Sequence, residues 1–226
     1  MGSRKSESER LPREFYLVDA ATLAQRLIGQ RLVRALEDGT RAAGVIVETE
    51  AYLGVKDKAA HTFGGRRTAR NESMYAIGGT AYVYFTYGMH FCMNVVASEA
   101  GDPVAVLLRA LEPVEGVQAM RALRTHRPRK TPLKEKDLCS GPGRLCEALA
   151  IGRDLNGEDL TTSRRMWIEG GKTYTARDLV RTTRVGIASA EEWVDRPLRW
   201  YVRGNVHVSV DAKEVSRGDA GARRKA

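Results

Sequence analysis

The chain has 226 residues, 42% of them hydrophobic, enough for one large domain or two small ones around a sizeable core. Lysine and arginine outnumber aspartate and glutamate 37 to 28, and the net charge of +9 suits a polyanionic partner as well as ordinary basic solubility. No apolar run of 18 residues is present to cross a membrane, and three cysteines without close spacing (Cys92, Cys139, Cys146) argue against zinc or a disulfide framework.

Residues 1–10 and 211–226 are polar and charged, and we expect loose tails there around a single domain spanning 11–210. Asp19 predicts a capped helix over Ala20–Ile28, with Leu23, Leu27 and Ile28 inward and Gly29 stopping it. A strand over Leu32–Leu36 and the Asp38-Gly39 turn signal predict a hairpin returning along Arg41–Leu53. Alternation puts Val45, Val47, Thr49, Ala51 and Leu53 on one face of that return strand. Ile46, Glu48, Glu50 and Tyr52 take the other. Two carboxylates and a tyrosine are an odd load for so apolar a strand. They form either a solvated outer face or the wall of a site, where a carboxylate activates water beside an aromatic that holds a flat ligand.

The stretch Val55–Gly79 is rich in glycine, arginine and small polar residues. A loop of that length is functional or disordered, and its Arg66, Arg67 and Arg70 can reach phosphates. Thr80–Val96 reads as two strands meeting near Tyr87-Gly88, with Tyr82, Tyr84 and Thr86 on one face. Tyr87 then stands at the tip. Pro103–Ala110 is a third strand whose Arg109 needs a carboxylate partner, Glu48, Glu50 or Glu112. Pro113 is expected to open a helix with Val114, Val117, Met120 and Leu123 inward. Arg124–Lys136 reads as a solvated basic loop that can meet DNA. A second helix starts at Ser140–Gly143, with Leu145, Cys146 and Leu149 inward, and ends at Gly152. Short strands are expected near Arg165–Glu169, Arg184–Ala188, Leu198–Val202 and Val206–Val210. The sum is one mixed α/β (α+β) domain with a curved, mostly antiparallel sheet and flanking helices.

His61, His90, His126 and His207 show no paired spacing, and neither a phosphate-binding P-loop nor a serine nucleophile elbow is present. Glu48, Glu50 and Asp57 could hold magnesium in a nuclease, although no motif demands it. A carboxylate beside aromatics, an arginine in an apolar strand, a tip tyrosine and a basic frame fit an enzyme that extrudes a base from DNA. Such an enzyme cleaves the N-glycosidic bond with an activated water, as in glycoside hydrolysis. A catalytically silent nucleic-acid binder would use the same frame and tip.

The motifs V-E-T-E-A-Y-L-G, A-A-H-T-F-G-G-R-R-T, A-Y-V-Y-F-T-Y-G-M, F-C-M-N, L-L-R-A-L-E-P and Y-V-R-G occur in order. From about Leu11 to Val210 the chain resembles the alkyladenine DNA glycosylase family, the 3-methyladenine DNA glycosylases of the human type. The resemblance implies Glu50 as general base, with Arg109 and the main-chain carbonyl of Val185 holding the water. It implies Tyr52, His61 and Tyr84 around the flipped base, main-chain contacts from Ala59 and His61, and Asn94 against a guanine 2-amino group. Tyr87 would be the wedge left in the duplex, with Met89 and His90 near the opposite strand. Vertebrate members usually carry an aromatic where His90 stands, and the loop between Asn94 and Pro103 looks longer here. Also implied are a protruding β-hairpin, no metal or other cofactor, and a monomer on double-stranded DNA with a damaged purine and no membrane. The substrates would be 3-methyladenine, 7-methylguanine, hypoxanthine and ethenoadenine. Hydrolysis would leave an abasic site without strand cleavage. The compartment would be the nucleus in a eukaryote, or the cytoplasm and nucleoid in a bacterium.

Overall fold

The computed structural model describes residues 9–86, 88–125 and 131–211. Most of both expected tails, residues 126–130 of the basic loop, and Tyr87 lie outside the described residues. Glu9 and Arg10 are described, and Arg10 bridges Glu169 at the sheet.

Helix α1 (Ala20–Leu27) starts where the sequence places it, because the Asp19 carboxylate accepts the N–H groups of Ala21 and Thr22 at 3.0 Å. Such a cap contributes about 1 kcal/mol. Its inward side chains Leu23 and Leu27 are wholly buried. Strands β1 (Arg31–Ala35) and β2 (Arg41–Tyr52) form the expected hairpin. Then come β3 (Ala81–Thr86), β4 (His90–Val96) and β5 (Ala105–Glu115). Helices α2 (Val117–Arg124) and α3 (Pro142–Ala148) separate these from β6 (Met166–Glu169), β7 (Leu179–Thr182) and β8 (Arg199–Val202). One antiparallel sheet runs in the order β3-β4-β5-β2-β1-β6, with β8 also paired to β2 and β7 to β8. The fold is thus the expected α+β domain with a curled sheet, and the β3–β4 hairpin occupies one end of it.

Strand β2 organises the sheet. Its register against β5 slips at Ala43/Gly44, Ile46/Glu48 and Glu48/Thr49, and bulges of this kind bend and twist a strand. The bend lets the first half pair with β1 while Glu48–Glu50 pair with β8. Strict alternation fails here, since Ile46 pairs with Leu111 and Glu48 with Ala110, which leaves Val47 as an extra residue between them. Gly44 has no substitute at the first slip, because a Cβ there would lie 2.8 Å from that of Leu111.

Four further expectations are corrected. Pro113 does not open a helix but sits inside β5 opposite Gly44, where the bulge tolerates a residue without an N–H. The helix starts four residues later, behind Gly116 at φ 68°, and Val114 is exposed instead of inward. Arg124, expected in a solvated loop, is the buried last residue of α2 and pairs with Glu147 at 2.7 Å. Helix α3 ends at Ala148 before the predicted Gly152, its chain reversing through Ala150 at φ 48°. Neither Arg184–Ala188 nor Val206–Val210 is a strand. The Val185 and Ser209 N–H groups go to carboxylates instead of a ladder, and β7 lies upstream of Arg184.

Candidate active site

The two glutamates of β2 are flanked on both sides. Glu48 lies between Ala110 of β5 and Tyr201 of β8, and Glu50 between Leu107 and Arg199. Both carboxylates are 0% exposed, which removes the reading of a solvated outer face. Two buried anions need cations. Arg109 supplies one, its Nε 2.9 Å from Glu48 and its Nη1 3.2 Å from Glu50. So the arginine among valines and leucines finds two of its three predicted partners. Burial alone would lower the Arg109 guanidinium, but the charges of Glu50 and Glu48 outweigh it and hold the group further above its ordinary value.

Two more acceptor positions of Glu50 are used by groups the sequence motifs also single out, and one on Oε2 stays open among the described residues. The Val185 N–H donates to Oε1 at 2.7 Å, and the Tyr52 hydroxyl donates to Oε2 at 3.0 Å. Burial, then the nearby Glu50 charge, push the Tyr52 phenol well above its usual value, so it stays a donor at neutral pH.

In front of this cluster lies a pocket of about 250 Å³. Tyr52, Ala59, His61, Tyr84, Asn94, Arg109 and Val185 all line it, gathered from β2, β3, β4, β5 and two loops. Glu50 itself lies just behind the wall, reached through Tyr52, Arg109 and Val185. His61 meets Tyr84 edge-on with ring centres 4.5 Å apart, and its Nδ1 lies 2.8 Å from the Tyr82 hydroxyl. Partial burial, with the charges of Arg70 and Arg66, lowers the His61 imidazole below its ordinary value and keeps it neutral at pH 7. One ring nitrogen then donates and the other accepts. Asn94 is buried and donates to the Tyr82 carbonyl at 3.2 Å.

Sequence reading missed several members of this site. Tyr82, which the alternation only placed on a face with Tyr84 and Thr86, stacks on Tyr84 at 5.3 Å and anchors His61. Its phenol is raised to about 12 by burial. Arg184 is wholly buried, bidentate to Asp57 at 2.5 and 2.9 Å, and its guanidinium stacks 4.7 Å from the Tyr52 ring centre. Asp57 also accepts the N–H groups of Leu53 and Ala59. That pair therefore ties the wall residue Tyr52, the Ala59–His61 segment and the Val185 loop together. The only signal in the sequence was an acidic residue and an arginine each flanking a motif, 127 positions apart. With Glu48 and Asp57 committed to guanidinium partners, the donor set for a magnesium nuclease is not assembled, and no metal-ligand cluster occurs among the described residues.

The rim is basic. Arg66, Arg67 and Arg70 are exposed. Arg67 pairs with Glu72 and lies over Tyr75, and Arg70 bonds the Phe85 carbonyl and lies over Tyr84. The loop carrying them is ordered by Asn71, whose side chain bonds the His61 and Arg66 carbonyls. On the hairpin, Met89 is 66% exposed and His90 is exposed beside Gly143 of α3. Tyr87, expected as the wedge, lies outside the described residues.

Residues 14–206 match the family model of methylpurine-DNA glycosylase. The chain is 49% identical to a human "DNA-3-methyladenine glycosylase" over 92% of its length and 70% of that protein's. It is 48% identical to the mouse protein of the same name, covering 63% of it. A "Putative 3-methyladenine DNA glycosylase" of Clostridium botulinum is 45% identical, and the match spans 89% of this chain and 99% of that one.

Proposed function

Because the chain belongs to the methylpurine-DNA glycosylase family, and so is a DNA glycosylase of repair, we propose that it extrudes damaged purines from duplex DNA and hydrolyses their N-glycosidic bond. The observation that carries this reading is the fully buried Glu50, sharing Arg109 with Glu48, directly behind a small pocket walled by Tyr52, His61 and Tyr84. The pocket is smaller than the roughly 300–1,000 Å³ of ordinary ligand clefts, which suits one extruded base.

In this mechanism the purine stacks between the aromatic walls, and a water sits among Glu50, Arg109 and the Val185 carbonyl. Glu50 takes a proton as the water oxygen bonds to the anomeric carbon, and the purine leaves with the electron pair of the broken C–N bond. The carboxylate also faces the cationic sugar of the transition state. Positively charged 3-methyladenine and 7-methylguanine leave readily. Hypoxanthine and ethenoadenine depend more on the pocket. Asn94 disfavours purines with a 2-amino group, a penalty that 7-methylguanine tolerates because its bond is weak. No lysine lines the pocket among the described residues, which supports an abasic site with the strand intact as the product. On this reading the protein acts as a monomer wherever the cell keeps its DNA.

The test is a hypoxanthine-containing duplex incubated with the protein in EDTA. Strand breaks should appear only after alkali and should persist under chelation. Breaks without alkali, or activity lost to EDTA, would return the nuclease reading.

Two consequences concern binding. The net charge and the Arg66–Arg70 rim predict duplex affinity that falls with salt, by a slope of about −0.9 in log K per phosphate neutralised. A flat salt dependence would remove the polyanion reading. Tyr87→Ala should weaken lesion-duplex binding, since an inserted wedge offsets an unstacking cost of a few kcal/mol per step, by order of magnitude. Unchanged binding and excision would make Tyr87 a packing residue.

A further inference from the structure

The two sides of Arg109 are not equivalent. One faces Glu50 and the pocket. The other is held by groups that touch neither: Glu48 takes its Nε, and the Ser209 hydroxyl accepts from its Nη2 at 3.1 Å. Glu48 in turn accepts two further bonds, from Arg199 Nη1 at 2.7 Å on the oxygen that takes Arg109 and from the Ser209 N–H at 2.7 Å on the other. Arg199 also donates to the Val210 carbonyl at 2.9 Å, which locks the same short segment from its far end. Ser209 and Val210 lie past the span 14–206 that the family model matches.

We propose that Glu48, together with Ser209 of this C-terminal segment, is a positioning unit that fixes the Arg109 guanidinium against Glu50. The inference rests on Arg109 and Glu50 being the reacting pair proposed above. A guanidinium with only Glu50 as partner would be drawn to it and could swing with it. A second carboxylate on its Nε and a hydroxyl on its Nη2 fix the plane and leave Nη1 aimed at Glu50 and the pocket. Charge closes as well: Glu48 and Glu50 balance Arg109 and Arg199, so Glu48 keeps Arg109 from cancelling the charge of Glu50 alone. Ser209 then works through Arg109, and nothing in its own chemistry touches a base or phosphate.

The experiment compares full-length wild type, Ser209→Ala, Ser209→Thr and Glu48→Gln on a hypoxanthine duplex, measuring single-turnover excision, lesion-duplex affinity and thermal melting. Misplacement of a reacting group by about an ångström costs on the order of 10²-fold in rate, and loss of one of three holding groups should cost about 10-fold. Ser209→Ala should therefore excise about 10-fold slower with unchanged affinity and melting. Ser209→Thr, which keeps the hydroxyl, should restore the rate. Glu48→Gln should be slower still. If Glu48→Gln does not melt cooperatively, the Ser209 pair decides alone, since Ser209 is half-buried and uncharged. Wild-type rates in Ser209→Ala, or equal slowing in Ser209→Ala and Ser209→Thr, overturn the proposal. Failure of the wild type to excise would instead overturn the proposed function.

Discussion

Glu50→Gln should bind lesion DNA like the wild type yet excise at least about 10²-fold more slowly, because a positioned base typically contributes ~10²–10⁴-fold. The geometry explains why the fold should survive. The amide oxygen can take the place of Oε1, still accepting from the Val185 N–H and the Arg109 guanidinium. The amide nitrogen then faces the Tyr52 hydroxyl, which turns from donor to acceptor. Arg109 keeps Glu48 as its ion partner. In the proposed mechanism, what is lost is the ability to take a proton and the negative charge facing the sugar. The aromatic walls and basic rim proposed to hold DNA are untouched. Single-turnover excision and lesion-duplex affinity measured together separate the outcomes. A wild-type rate would place the base elsewhere. Parallel collapse of rate, affinity and cooperative melting would make Glu50 a structural ion-pair member.

The second large effect should fall on stability. Asp57→Ala should cost about 3–5 kcal/mol, the usual loss when one partner of a buried ion pair is removed. Arg184 would remain at zero side-chain exposure with its charge uncompensated, and the Leu53 and Ala59 N–H groups would lose their acceptor. For a domain of this size that corresponds to a melting temperature lower by roughly 6–20 °C. Arg67→Ala breaks an ion pair whose partners are 56% and 55% exposed, and should shift stability by no more than about 1 kcal/mol. Thermal melts of the two variants side by side check the contrast. An Asp57→Ala melt within the range of Arg67→Ala would mean that Arg184 finds water or another acceptor when its partner is removed.

These two variants also show what the sequence could and could not reveal. The Glu50 strand was legible because β-branched alternation marks a strand and two carboxylates within it are conspicuous. Arg109 was legible because an arginine among apolar residues must have a carboxylate. The Asp19 cap and the Asp38-Gly39 turn were legible because their chemistry is local. The bulges of β2 were not, since two successive buried residues at Ile46 and Val47 look like ordinary strand until a partner slips register. Pro113 misled for the same reason: only the bulge opposite it makes a proline acceptable in β5. Arg184 and Ser209 were hidden more deeply. Each sits in a stretch that looks like a short strand, and each has its partners 100 residues or more away. Their roles arise from backbone and side-chain bonds to carboxylates, which no local periodicity encodes.

On the proposed reading, this one chain hydrolyses the bond between a damaged purine and its sugar without a metal. The most direct measurement is mass analysis of both products after a single turnover on a hypoxanthine duplex in EDTA. Free hypoxanthine and an intact strand carrying one abasic site is the predicted result. A cleaved strand with the base still attached, or no released base from a duplex that is bound, would contradict it.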